Sequence, residues 1–181
     1  MVAEETLAEH VALIGLPGAG KSAVAALLGR SLGRVSSDLD RVVEREAGRS
    51  VGAIFATEGE ERFRDLESRA LAEALGGTTP VVLACGGGVL GRAANRELLK
   101  GRARVVWLEV EPEEAAARLG PEGWKERPLL SGPPGPERLR ELLDRRAAAY
   151  AEVAHHRITT DGLTAEQVAA RVLASLEGEG A

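Results

Sequence analysis

Cysteine is almost absent from this chain: of 181 residues only Cys85 carries a thiol, so neither an internal disulfide nor a cysteine-based metal cluster can form. A reducing cytoplasm is the expected setting. Lysine is also scarce, with Lys21, Lys100 and Lys125 the only three, and 23 basic against 28 acidic side chains leave a net charge of -5. That balance offers no basic field for a nucleic acid, so no nucleic-acid partner is expected and any nucleotide handled is a small molecule. No apolar run approaches the roughly 20 residues of a membrane-spanning helix. Residues 1–10 contain Glu4, Glu5 and Glu9 but no basic segment, so neither an export signal nor a membrane partner is expected.

What is present is a complete glycine-rich phosphate loop, Gly15-Leu16-Pro17-Gly18-Ala19-Gly20-Lys21-Ser22, of the pattern G-x-x-x-x-G-K-[ST]. Its flanks agree with it. The apolar run Val11 to Ile14 leads in as a strand, and an alanine-rich helical pattern from Ala23 to Leu32 leads out. The glycines let backbone N–H groups converge on phosphate oxygens, and the helix turns its positive end to the same place. Lys21 then neutralises terminal phosphates and Ser22 is a ligand for Mg²⁺. The loop points to a bound nucleotide triphosphate, against the alternative of a chance glycine turn after a strand. It does not name the reaction.

Short β-branched or apolar runs recur at Val81 to Ala84 and Val105 to Val110, with weaker candidates at Arg34 to Ser37 and Arg157 to Thr160. Helical patterns fall between them, at residues 40–47, 51–56, 59–75, 92–100, 112–119, 136–154 and 164–176. Alternation of this kind predicts an α/β fold whose parallel sheet carries helices on both faces, and the length suits one domain spanning residues 1–181. Two segments read as irregular: Gly86-Gly87-Gly88, and Gly120 to Pro136.

Several further residues admit two readings each. Asp38 falls at the carboxyl end of the second strand candidate, where open α/β sheets bind ligands, and Asp40 opens the next helix, yet both also suit plain helix capping. The glycine triplet is either a flexible loop or a place where backbone closely approaches a ligand. Arg64 lies in a doubly charged helix, where an arginine ordinarily pairs with acids in solvent, and Arg145-Arg146 on a late helix reads the same way. Arg127 is either an exposed loop residue or a cation that closes over the triphosphate. Cys85 reads as a small buried residue.

Taken in order, these pieces resemble the shikimate kinase family over nearly the whole chain. The residues that carry the resemblance are Gly15 to Ser22, Ser37-Asp38-Leu39-Asp40, Phe55-Ala56-Thr57-Glu58-Gly59-Glu60 running into Phe63-Arg64, Gly86 to Gly88, Arg127-Pro128-Leu129-Leu130, and Arg145-Arg146-Ala147 with Tyr150. The resemblance implies a three-layer phosphate-loop kinase fold with a five-stranded parallel sheet and a mobile lid over about residues 119–135. It implies transfer of the ATP γ-phosphate to the 3-hydroxyl of shikimate, with Mg²⁺ as cofactor, in a monomeric cytoplasmic enzyme. By the same resemblance Gly18, Ala19, Gly20, Lys21, Ser22 and Ala23 hold the ATP phosphates, and Ser22 and Asp38 hold the metal. Asp40 holds the ring hydroxyls and accepts the transferred proton, while Gly86, Gly87 and Gly88 complete the acceptor pocket. Arg64 and Arg146 take the carboxylate. Lys21, Asp40 and Arg127 are the catalytic set, Arg127 also reaching ATP from the lid.

Three positions depart from the family pattern: Ala23, Cys85 and the lid sequence Gly120-Pro121-Glu122-Gly123-Trp124. None removes a charged group. Leu163 stands in the adenine region, where it offers no side-chain hydrogen bond. The competing readings are a gluconate or nucleoside monophosphate kinase, and a regulatory module that binds ATP without turnover.

Overall fold

The computed structural model describes residues 9–125, 130 and 134–178. Its strands β1 (His10–Ile14), β2 (Ser36–Asp38), β3 (Val82–Ala84), β4 (Ala103–Glu109) and β5 (His156–Thr159) make one parallel sheet in the order β2-β3-β1-β4-β5. Strand β1 is central because all five of its residues can be buried, Val11 pairing with Val82 on one side and His10 with Ala103 on the other. The imidazole of His10 stays satisfied there, accepting from the Val81 N–H at 3.2 Å.

Among the described residues seven helices accompany the sheet: α1 (Lys21–Leu32), α2 (Leu39–Ala47), α3 (Val51–Gly76), α4 (Ala93–Arg102), α5 (Pro112–Lys125), α6 (Pro136–Val153) and α7 (Ala165–Glu177), with a 3₁₀ turn at Gly87–Gly91. Alternate residues of the strands point to opposite faces and so feed two cores. Val11, Leu13, Val106 and Leu108 pack with α1, α5 and α7; Ala12, Ile14, Val105 and Trp107 pack with α2, α3 and α4. Helix α6 is planted in both, through Leu139 and Leu142 on the first side and Tyr150 and Val153 on the second. Among the described residues no helix is long and apolar enough to cross a membrane.

The local starts follow from side chains. Asp38 caps α2, Ser50 caps α3, and Thr164 with Gln167 forms a capping box on α7. The second strand begins later than the sequence pattern suggests, because Arg34 is bound back to Gly29 at 2.8 Å in the left-handed end of α1. The helical patterns at 51–56 and 59–75 run together as α3, with a kink at Gly59 (φ 83, ψ 175). Gly120 (φ 58, ψ 178) kinks α5 likewise, and helical backbone continues to Lys125. Gly120 to Pro136 is therefore not irregular throughout: Pro121 sits in the first turn after the kink, where its missing N–H breaks no helical bond. Arg127 lies outside the described residues, as do the other residues of 126–129 and 131–133 in the expected lid.

Candidate active site

The phosphate loop leaves the carboxyl end of β1 and enters α1. Gly18 takes φ 85, and a Cβ there would run into the backbone carbonyl of Ala115 in α5. Gly20 precedes the first helical residue and has no side chain with which to cap it, so the first-turn N–H groups of α1 keep no side-chain cap among the described residues. Lys21 folds back over the loop, its Nζ donating to the carbonyls of Gly15 at 2.9 Å and Leu16 at 2.8 Å. Beside it the Ser22 hydroxyl donates to Asp38 Oδ2, while Asp38 Oδ1 accepts from the Asp40 N–H at 3.0 Å. Capping and proximity to the loop are thus not alternatives for Asp38; separate oxygens serve each.

The oxygens of Ser22 and Asp38 are hard donors, and among the described residues no cluster of three or more His, Cys, Asp or Glu side chains could cage a metal. A protein that offers one or two oxygens beside a phosphate loop fits a Mg²⁺ ion that takes its remaining ligands from phosphates and water.

The glycine triplet follows β3, and its Gly87 and Gly88 form one wall of a cleft of about 350 Å³ lined also by Glu60, Arg64, Arg145 and Arg146, among others. These glycines are there for close approach. A Cβ on Gly88 would overlap the Arg64 guanidinium, and one on Gly87 would overlap the Tyr150 hydroxyl and stand 2.7 Å from Arg146 Nη1. Gly86 faces the carboxylates of Glu67 and Asp40, at 3.3 and 3.5 Å from the place of its missing Cβ. Cys85, immediately before, is fully buried, and burial drives its thiol pKa well above the ordinary value.

Arg64 is not a solvated helix residue. Its side chain is 12% exposed, lies 5.2 Å over the Phe63 ring, and pairs with Glu67 at 2.7 Å and Glu60 at 3.1 Å. Glu67 is buried, and burial pushes its carboxyl up to about 7 against the pull of Arg64, with Asp40 pushing the same way. The Tyr150 hydroxyl is buried facing Arg146, whose charge opposes the rise in tyrosine pKa that burial causes. Arg146 is half-buried on α6 while its neighbour Arg145 is exposed, so only one of the pair keeps the surface reading.

Glu67 and Tyr150 carry no assigned role in the sequence reading. A signal for Glu67 exists: it falls three residues after Arg64 and among Phe63, Leu66 and Ala70, an acid on the buried face of α3. Tyr150 looks like ordinary core, and its hydroxyl acquires meaning only when α6 meets Gly87.

Phosphate-loop kinases of small molecules combine this sheet with a donor loop on the central strand, and that is the class to which the chain belongs. A solved gluconokinase from Sinorhizobium meliloti shares the fold at a TM-score of 0.67 over 96% of this chain and 94% of that one, with 17% identity. Closer likeness narrows the class. The profile described as shikimate kinase matches residues 17–177. The shikimate kinase of Symbiobacterium thermophilum is 45% identical over 171 residues, 94% of this chain and 98% of that one. The structure of shikimate kinase from Acinetobacter baumannii in complex with shikimate matches with a TM-score of 0.91 at 36% identity, over 99% and 98% of the two chains. The chain belongs to the shikimate kinase family, whose members are ATP-dependent kinases.

Proposed function

We propose that this protein transfers the γ-phosphate of ATP to the 3-hydroxyl of shikimate, giving shikimate 3-phosphate and ADP. The observation that carries the reading is the placing of Arg64 and Arg146 on one glycine-walled cleft. Two guanidinium groups suit a compact acceptor with one carboxylate, since each offers paired N–H donors. Membership of the family and the shikimate named in the A. baumannii complex support the same acceptor.

In this reading Gly18, Ala19, Gly20, Lys21, Ser22 and Ala23 receive the ATP phosphates at the positive end of α1. Asp40 orients the ring hydroxyls and accepts the proton that the 3-hydroxyl gives up as it attacks. Backbone at Gly86 to Gly88 closes the pocket against the ring. Ser22 and Asp38 would hold Mg²⁺, which when bound neutralises charge on the transferring phosphate. Arg127, outside the described residues, is proposed to reach ATP from a lid over about residues 119–135. The chain is proposed to work as one domain and as a cytoplasmic monomer, with neither nucleic acid nor membrane as partner.

The test is ADP release in a coupled assay. Mg²⁺-dependent turnover with shikimate is expected, and little with gluconate, quinate or AMP. Turnover mainly on any of the other three overturns the reading, and ATP binding with no acceptor-dependent ADP release returns the chain to a regulatory module.

A further inference from the structure

Arg64 is already engaged along the edges it would turn to an acceptor. Its Nε and Nη2 face one oxygen of Glu60, Oε1, at 3.4 and 3.1 Å, and its Nη1 donates to Glu67 Oε2 at 2.7 Å. The Nε–Nη2 edge is one of the two-donor edges by which a guanidinium grips a carboxylate. The two acids on Arg64 are not equivalent. Glu67 is 1% exposed and enclosed near Gly86 and Asp40, whereas Glu60 is 57% exposed and lines the cleft. Removing Glu67 from the arginine would strand a buried acid; moving Glu60 only returns an exposed one to water. Glu60 is also the first residue after the Gly59 kink, so one side of it is not held in continuous helix.

We infer that Glu60 is an internal stand-in for the carboxylate of the acceptor, occupying the Nε–Nη2 edge of Arg64 and yielding it when shikimate binds. The inference rests on the shikimate kinase reading and adds a specificity-determining residue to it. An anionic acceptor replaces one charge-assisted pair with another, so Arg64 is never left uncompensated. A neutral acceptor of the same shape has nothing to exchange, and meets an arginine that keeps its own partner. Glu67 holds the guanidinium in place throughout. Glu60 thus lowers the affinity for every acceptor while penalising uncharged ones most.

The experiment compares wild type with Glu60→Gln and Glu60→Ala in the full chain, measuring the shikimate KM, the ATP KM and kcat, with the shikimate Kd from calorimetry. Removing the competing charge is expected to lower the shikimate KM and Kd about two- to five-fold, the range an exposed ion pair spans, with the ATP KM unmoved. An unchanged or raised shikimate KM and Kd, in variants that melt like wild type, overturns the inference by making Glu60 a support of Arg64. Wild-type protein that does not phosphorylate shikimate overturns both readings; an active wild type with no gain in either variant overturns only this one.

Discussion

The Ser22 hydroxyl donates to the Asp38 carboxylate, joining the first turn of α1 to the residue that caps α2. Because the other Asp38 oxygen holds the Asp40 N–H, the two duties can be separated by substitution. Asp38→Asn keeps an acceptor for the cap and loses the charge; Asp38→Ala loses both. Activity of Asp38→Asn is expected to fall about 10- to 100-fold with little change in Tm. Asp38→Ala is expected to lose about 1 kcal/mol of stability besides. Calorimetry and a Mg²⁺ titration of activity check both, and full activity in Asp38→Asn would remove Asp38 from the proposed metal site.

Arg64→Ala should weaken shikimate binding about 10- to 100-fold, the scale of lost charge-assisted hydrogen bonds, while ATP binding survives. Parallel calorimetric titrations decide this. Equal loss of both ligands would point to a disrupted fold rather than a missing carboxylate partner.

Glu67 makes a prediction with a definite sign. Its folded pKa of about 7 lies above the ordinary 4.5, so between these values the folded chain keeps a proton that the unfolded chain has released. The contribution of Glu67 to stability therefore declines as pH rises through that interval and is level above it. In Glu67→Gln this part of the slope should vanish. Melting temperatures of wild type and variant across pH 4 to about 8 are compared, and parallel curves would contradict the assignment.

Gly87→Ala puts a methyl group where the Tyr150 hydroxyl and Arg146 lie. The shikimate KM is expected to rise on the order of ten-fold or more as Arg146 is pushed aside. Tyr150→Phe in the Gly87→Ala background removes one of the two clashing groups and should recover part of that loss. A double-mutant cycle on KM measures the recovery; strict additivity would mean that the two positions do not meet.

The donor side of the site was legible in the chain because its information is local. A strand, a glycine pattern and a helix follow one another without interruption from His10 to Leu32, and each limits the next. The acceptor side is legible only through the family resemblance. Arg64, Gly87 and Arg146 come from α3, the 3₁₀ turn and α6, and nothing in the spacing of three elements says that their tips meet. Arg64 in isolation has the neighbours of a surface arginine, and only packing against Gly88 and Glu67 removes it from water. The kink at Gly120 escaped because a Gly-Pro pair ordinarily marks the end of a helix, whereas here helical turns resume beyond it.

Helix α6 has a consequence of its own. It is rooted at Leu139 and Leu142 among the side chains beneath the phosphate loop, and at Tyr150 and Val153 among those beneath the glycine turn. Arg146 stands one turn from either footing. A helix clamped at both ends in close-packed surroundings resists bending, so it behaves as a ruler. The spacing between the phosphate loop and the glycine turn is then written into a single length of backbone: lengthening or shortening α6 by one residue between Leu142 and Tyr150 would turn Arg146 away by about 100°, the rotation per helical residue, and uncouple the two footings.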